Sequence, residues 1–167
     1  MANTYKLISK NILSATTTAI TLSSIPTTYT HLKLLISDRG SSATLDASEI
    51  WFNGGTAASY TNGYLDANDG GTPRSGSANY YAFITNPSGY GTNIFGFTEI
   101  LIPNYTGSQE KNMAGWFNTE NTAINQYNGF TRTYTAVTSA ISSLSLNIRN
   151  GAFVVGTSMH LYGLSNT

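Results

Sequence analysis

An all-β fold is what this sequence predicts: an antiparallel β-sandwich of the jelly-roll kind, with about eight to ten strands, in a single domain over residues 1–167. Three observations lead there. Apolar side chains recur at every second position along much of the chain, the spacing that puts one strand face on a core and the other in water. No apolar period of about 3.6 residues lasts two turns. Turn-forming residues fill the gaps, and no internal repeat, heptad or charged linker marks a second domain.

Taken in order, Tyr5-Lys6-Leu7-Ile8 begins the strands, and Ile20 and Leu22 form the next alternation. Leu32, Leu34 and Ile36 then point one way, with His31, Lys33 and Ser37 opposite. Ile50-Trp51-Phe52, Tyr80 to Ile84, Ile94 to Phe97 and Phe130 to Tyr134 are aromatic or β-branched, as strands favour. Ile100 with Ile102, and Leu144 with Leu146 and Ile148, repeat the alternation. The last segment sets Met159 and Leu161 against His160, Tyr162 and Leu164. Asn53-Gly54, Asn62-Gly63, Asp69-Gly70, Asn128-Gly129 and Asn150-Gly151 supply the positive φ angles of tight turns. Of these, Asn150-Gly151 is predicted to close a hairpin between the Leu144 and Phe153 runs. Asn53 to Ser77 and Asn118 to Asn128 read as long loops at the ends of the sandwich, and Asp66 to Asn68 or Glu120 to Ile124 as places for a short helical turn.

Composition narrows the function. Only 10% of the residues are charged, against about 25% in an average soluble domain, while Ser, Thr, Asn and Gly make up nearly half. Eight basic and eight acidic residues, singly scattered, give a net charge of zero and no basic stripe, which excludes nucleic acid as a partner. No apolar run reaches the 18 or so residues that span a bilayer, and the N-terminus lacks the apolar core of a secretory signal. A soluble product made in the cytoplasm, without membrane contact, is expected. The absence of Cys removes thiol catalysis, thiolate metal sites and disulfides. Four Lys and four Pro leave few residues to block sheet edges, so neighbouring subunits are expected to cover some of them.

No motif carries catalysis, and no enzyme activity, cofactor or metal is expected. His31 and His160 fall on the strand faces opposite the aliphatic stripe and read as solvated or hydrogen-bonded side chains, with no Gly-x-Ser-x-Gly elbow to supply a nucleophile. Nothing in the spacing of Asp38, Asp46, Glu49, Glu99, Glu110 and Glu120 selects a catalytic pair. Asp66-Ala67-Asn68-Asp69-Gly70-Gly71 opens like a calcium loop, but Gly70 and Ser77 stand where ligands belong, so it reads as a turn. Gly70-Gly71 and Gly89-Tyr90-Gly91 lack the Lys-Ser/Thr of a phosphate cradle and read as turns too. The candidate binding residues are aromatics placed in loops: Tyr60, Tyr64 and Tyr90, whose phenols can stack on a sugar or anchor a protein interface.

Four phrases in chain order carry a resemblance: Ser24-Ile25-Pro26-Thr27-Thr28-Tyr29-Thr30-His31-Leu32, Ile50-Trp51-Phe52-Asn53-Gly54, Glu99-Ile100-Leu101-Ile102-Pro103-Asn104-Tyr105 and Gly156-Thr157-Ser158-Met159-His160-Leu161-Tyr162-Gly163-Leu164. Together they resemble a β-sandwich family of tailed-bacteriophage virion proteins, found among head decoration (cement) proteins and as modules of tail fibres. The resemblance covers nearly the whole chain, in structural phrases of strands and turns. It implies jelly-roll subunits, homotrimers, and a place on the virion for a protein made in the host bacterial cytoplasm. Strands that begin by Tyr5 and run to Leu164 leave no room for an attachment segment, which favours decoration of the outer head surface, bound to the major capsid protein between capsomers. The competing expectation is a tail-fibre or receptor-binding module whose Tyr60, Tyr64 and Tyr90 contact a glycan.

Overall fold

A computed structural model describes residues 5–56, 60–68, 73–78, 82–120 and 127–165. Among them are twelve strands: β1 Tyr5–Ile12, β2 Ala19–Leu22, β3 His31–Asp38, β4 Asp46–Phe52, β5 Tyr60–Asn68, β6 Arg74–Ala78, β7 Phe83–Thr85, β8 Gly96–Pro103, β9 Lys111–Asn118, β10 Tyr127–Thr135, β11 Leu144–Ile148 and β12 Ser158–Leu164. All pair antiparallel, in an eight-stranded sheet ordered β1-β12-β3-β8-β9-β10-β5-β6 and a four-stranded sheet ordered β2-β11-β4-β7.

The jelly roll is visible in that order. β1, β12, β3 and β8 lie side by side over β2, β11, β4 and β7, and the chain changes sheet at each step from β1 to β4, from β7 to β8 and from β11 to β12. Two insertions raise the strand number above the expected range: β5 and β6 between β4 and β7, and β9 and β10 between β8 and β11. Both join the large sheet beyond β8, so it runs well past the sheet that covers it.

The core fills the space between the sheets. Leu32, Leu34 and Ile36 on β3, Ile100 and Ile102 on β8, Leu144 and Leu146 on β11, and Met159 and Leu161 on β12 are all buried, as their alternation requires. Each such side chain contributes roughly 1.5–3 kcal/mol by leaving water. The extension is tied to the sandwich at its first residue: Phe52 donates its N–H to the Tyr60 hydroxyl at 2.6 Å, and the two rings meet edge to face at 5.9 Å.

Several turn expectations are corrected here. Asn53-Gly54 is a turn, with both residues at positive φ. Asn62-Gly63 and Asn128-Gly129 instead lie inside β5 and β10. At Gly63 the flexible Arg132 side chain lies across the backbone, and a Cβ there would stand 2.8 Å from its Nε. At Gly129 a Cβ would stand 2.7 Å from the Phe117 ring. Asn150-Gly151 turns the chain without closing a hairpin, since β11 pairs with β2 and β4 while Phe153 bridges Thr17 and Gly40. The stretch Asn53 to Ser77 holds β5 and part of β6, and Asp66 to Asn68 is strand. Asp69-Gly70, Gly70-Gly71 and most of Glu120 to Ile124 lie outside the described residues.

Candidate functional site

β10 is built inside out. Thr131, Thr133 and Thr135 are buried on its inner face, while Phe130, Arg132 and Tyr134 point outward, Phe130 with 67% of its surface exposed. On the inner face Thr133 donates to the Asn62 carboxamide oxygen of β5, while the Thr131 hydroxyl is buried with no partner among the described residues. Sheet register then carries the outward groups into rows. Glu99, Trp116, Phe130 and Leu65 stand side by side across β8, β9, β10 and β5, and Leu101, Ala114, Arg132 and Gly63 form the next row.

These rows line a shallow concavity of about 900 Å³ on the outer face, which continues into a second lobe of about 530 Å³ bordered by Thr61, Asn112 and Tyr134. Gly63, Gly76 and Ala114 make its floor low, and Arg132 borders both lobes. Trp116 leans on Phe97, ring centroids 5.1 Å apart, and keeps 42% of its surface exposed. At the margin Glu99 is paired with Lys33 at 2.8 Å.

A second apolar surface lies at the far end of the same sheet. β1 is an edge strand, and Tyr5, Leu7 and Ile12 on it are 53%, 44% and 57% exposed. Their outward side is set by pairing with Leu164, Tyr162 and Ser158 of β12, with a bulge between Leu7 and Ser9. Lys33 spans toward this edge, its ammonium 5.4 Å from the Tyr5 ring.

The tyrosines expected in loops are dispersed. Tyr60 is in β5, not a loop, and its buried hydroxyl, tied to Phe52, has its pKa pushed up by burial. Tyr64 is also in β5, half-buried, with its hydroxyl reaching Gly76 on β6 at the border of the concavity. Tyr90 ends a 3₁₀ turn over Ser88–Tyr90, and burial, with Tyr127 nearby, raises its pKa. Only Tyr64 reaches the concavity. Trp116, Phe130, Leu65, Leu101 and Arg132 were not singled out from sequence. The signal for them was there in β10, where Thr alternates with larger side chains.

His31 Nδ1 accepts the Asn104 N–H at 3.1 Å, in keeping with a hydrogen-bonded histidine. Asp66 is a strand residue of β5, while Asp69 to Gly71 lie outside the described residues. Among the described residues no three His, Asp or Glu side chains gather around a metal-sized space, and no helix is long and apolar enough to cross a membrane. Asp38 is the most perturbed acid: burial between β3, β7 and β8 raises its pKa to about 7.

No match emerges from comparison with protein-family models, curated proteins or solved structures. What the two outer surfaces offer is contact: rings, aliphatic side chains and one guanidinium, held on paired strands.

Proposed function

We propose that this chain is a non-enzymatic structural protein of a tailed-bacteriophage virion, a decoration subunit that binds as a homotrimer between capsomers of the major capsid protein and stabilises the head. The observation that carries the reading is the β1 edge, where Tyr5, Leu7 and Ile12 leave an apolar stripe on an eight-residue strand whose outer ladder is open among the described residues. An exposed edge of that kind is a template for pairing with another chain. A neighbouring subunit would bury it, and apolar contact there strengthens the assembly without reliance on charge.

The resemblance of four sequence phrases to virion proteins is what points to the particle, and the jelly roll suits such a subunit. Stabilisation works by mass action: a protein that binds only the assembled shell favours that state in proportion to its occupancy. Many modest contacts then act together.

The test is the number of copies per purified virion, by quantitative mass spectrometry against the major capsid protein. Hundreds of copies support decoration. A few to a few tens move the protein to the tail or a fibre. Particles stripped of the protein are expected to lose heat and osmotic tolerance and to keep adsorption; lost adsorption with unchanged tolerance sinks the proposal.

A further inference from the structure

We propose that the concavity across β8, β9, β10, β5 and β6 is a binding site for an oligosaccharide that carries carboxylated sugar residues. Its lobes of about 900 and about 530 Å³ are of the size at which small-ligand sites occur, about 300–1,000 Å³. Trp116, Phe130, Leu65 and Leu101 wall the first lobe, and Asn112, Thr61 and Tyr134 border the second. A pyranose has both kinds of surface that this arrangement matches: C–H faces that stack on aromatic rings, and hydroxyls that need hydrogen-bond partners. The support of Phe97 behind Trp116 holds one indole in place as such a platform.

Arg132 fixes the charge of the ligand. It borders both lobes, and among the described residues no carboxylate lies in salt-bridge range of its guanidinium. A planar guanidinium takes a carboxylate with two parallel hydrogen bonds, and does so most strongly where water is partly excluded. Glu99 at the margin does not oppose an anion, because Lys33 neutralises it at 2.8 Å.

Other occupants fit less well. A second copy docked through the same face would set one concavity against another and bring Arg132 near its own twin, leaving a void between like charges. A peptide laid on this face would find β9, β10 and β5 each paired on both sides, so its own N–H and C=O groups would lack a backbone partner. A sugar has no such ladder to satisfy. The site is distinct from the β1 edge: its nearest strand, β8, lies three strand spacings away, about 14 Å, and β10 lies five, about 24 Å. It therefore stands whether the protein sits on a head or on a fibre.

The test titrates the full chain with tetragalacturonate, tetraguluronate, a sialylated trisaccharide and neutral maltotetraose, read by calorimetry and tryptophan fluorescence. Saturable binding of at least one carboxylated probe is expected, about tenfold weaker in Arg132→Gln and in Phe130→Ala. Both side chains are exposed, so unchanged melting temperatures show that the variants are folded. No saturable response to any carboxylated probe at millimolar concentration overturns the proposal. So does binding that Arg132→Gln leaves intact, or equal binding of maltotetraose. A lower native mass for Phe130→Ala than for the parent also overturns it, since that assigns the face to a second copy.

Discussion

Asp38 makes fold stability depend on pH in a direction opposite to that of most acids. It ends β3 opposite Gly96 of β8, is 1% exposed, and neither carboxylate oxygen has a hydrogen-bond partner among the described residues. Burial therefore raises its pKa from 3.8 to about 7, while the nearby Thr85 hydroxyl and Asn86 N–H offset part of that shift without reaching hydrogen-bond geometry. Below pH 3.8 the carboxyl is protonated in both the folded and the unfolded chain, and it costs nothing. Between pH 3.8 and about 7 the unfolded chain gives up the proton and the folded one keeps it, so stability falls as pH rises. Above about pH 7 both forms are ionised and the loss is complete.

Roughly three pKa units at 1.36 kcal/mol each amount to about 4 kcal/mol. With a slope of about 2 kcal/mol per molar urea, the unfolding midpoint is expected to drop by about 2 M between pH 4 and pH 8. Asp38→Asn keeps the shape and removes the ionisation, so most of that drop disappears. Glu49, also raised by burial, leaves the variant a shallow slope of the same sign. The assay is urea unfolding followed by tryptophan fluorescence, at fixed protein concentration because the reading includes an oligomer. A wild-type midpoint that is flat from pH 4 to pH 8, or an Asp38→Asn variant with the full slope, refutes the reasoning.

Three further substitutions test the fold and its edge. Asn53 sits at φ 52° and holds the loop before β11, donating to Ser139 Oγ at 3.1 Å and Ala140 O at 2.9 Å and accepting the Ser142 N–H at 2.8 Å. Asn53→Ala is expected to cost about 3 kcal/mol and Asn53→Gly about 2, the difference being the left-handed backbone; equal costs in thermal unfolding would remove that assignment. Lys111 is buried and donates to the carbonyls of Gly107 at 2.6 Å, Gln109 at 2.5 Å and Thr138 at 3.2 Å. Lys111→Met strands these acceptors and is expected to cost about 2 kcal/mol, whereas a rise in melting temperature would mean that burying the charge outweighs its bonds. Leu7→Lys with Ile12→Lys alters exposed positions only, so the melting temperature of the single chain holds while native mass spectrometry finds the oligomer gone; an intact oligomer excludes the β1 edge as its interface.

The jelly-roll strands were legible because each has one face on the core. Leu32, Leu34 and Ile36, or Leu144, Leu146 and Ile148, bury alternate residues against the opposing sheet, and that constraint is written as a period of two. β5 and β6 were missed for the opposite reason. Arg74-Ser75-Gly76-Ser77-Ala78 has no apolar stripe, and it is a strand because the β5 ladder pairs with it from Asn62 to Asp66. β5 is itself held by β10, far on in the sequence, and a ladder formed by a distant neighbour leaves no local mark. Of the candidate site, Phe130 to Tyr134 was legible as a strand but its neighbours were not, since Trp116 and Leu65 reach Phe130 only through sheet register.

The inverted pattern of β10 follows from where the large sheet outruns the small one. Beyond β7 no second sheet among the described residues supplies an apolar ceiling, and the inner face of β10 and β5 carries polar side chains there: Thr131, Thr133, Thr135, Asn62 and Asp66 are all buried, with Thr133 bonded to Asn62. With the inner positions polar, the outer rings of Trp116, Phe130 and Tyr134 have no part in closing the core. They cost solubility where they stand, and folding does not require them. A residue that folding does not need and that exposure penalises is explained by something that covers it, and the same holds for Tyr5, Leu7 and Ile12 at the other end of the sheet. The two surfaces differ in one respect that separates their partners. The β1 edge offers an unpaired ladder beside its apolar side chains, which suits another strand; the concavity lies on paired strands around a guanidinium, which suits a ligand without a backbone to satisfy.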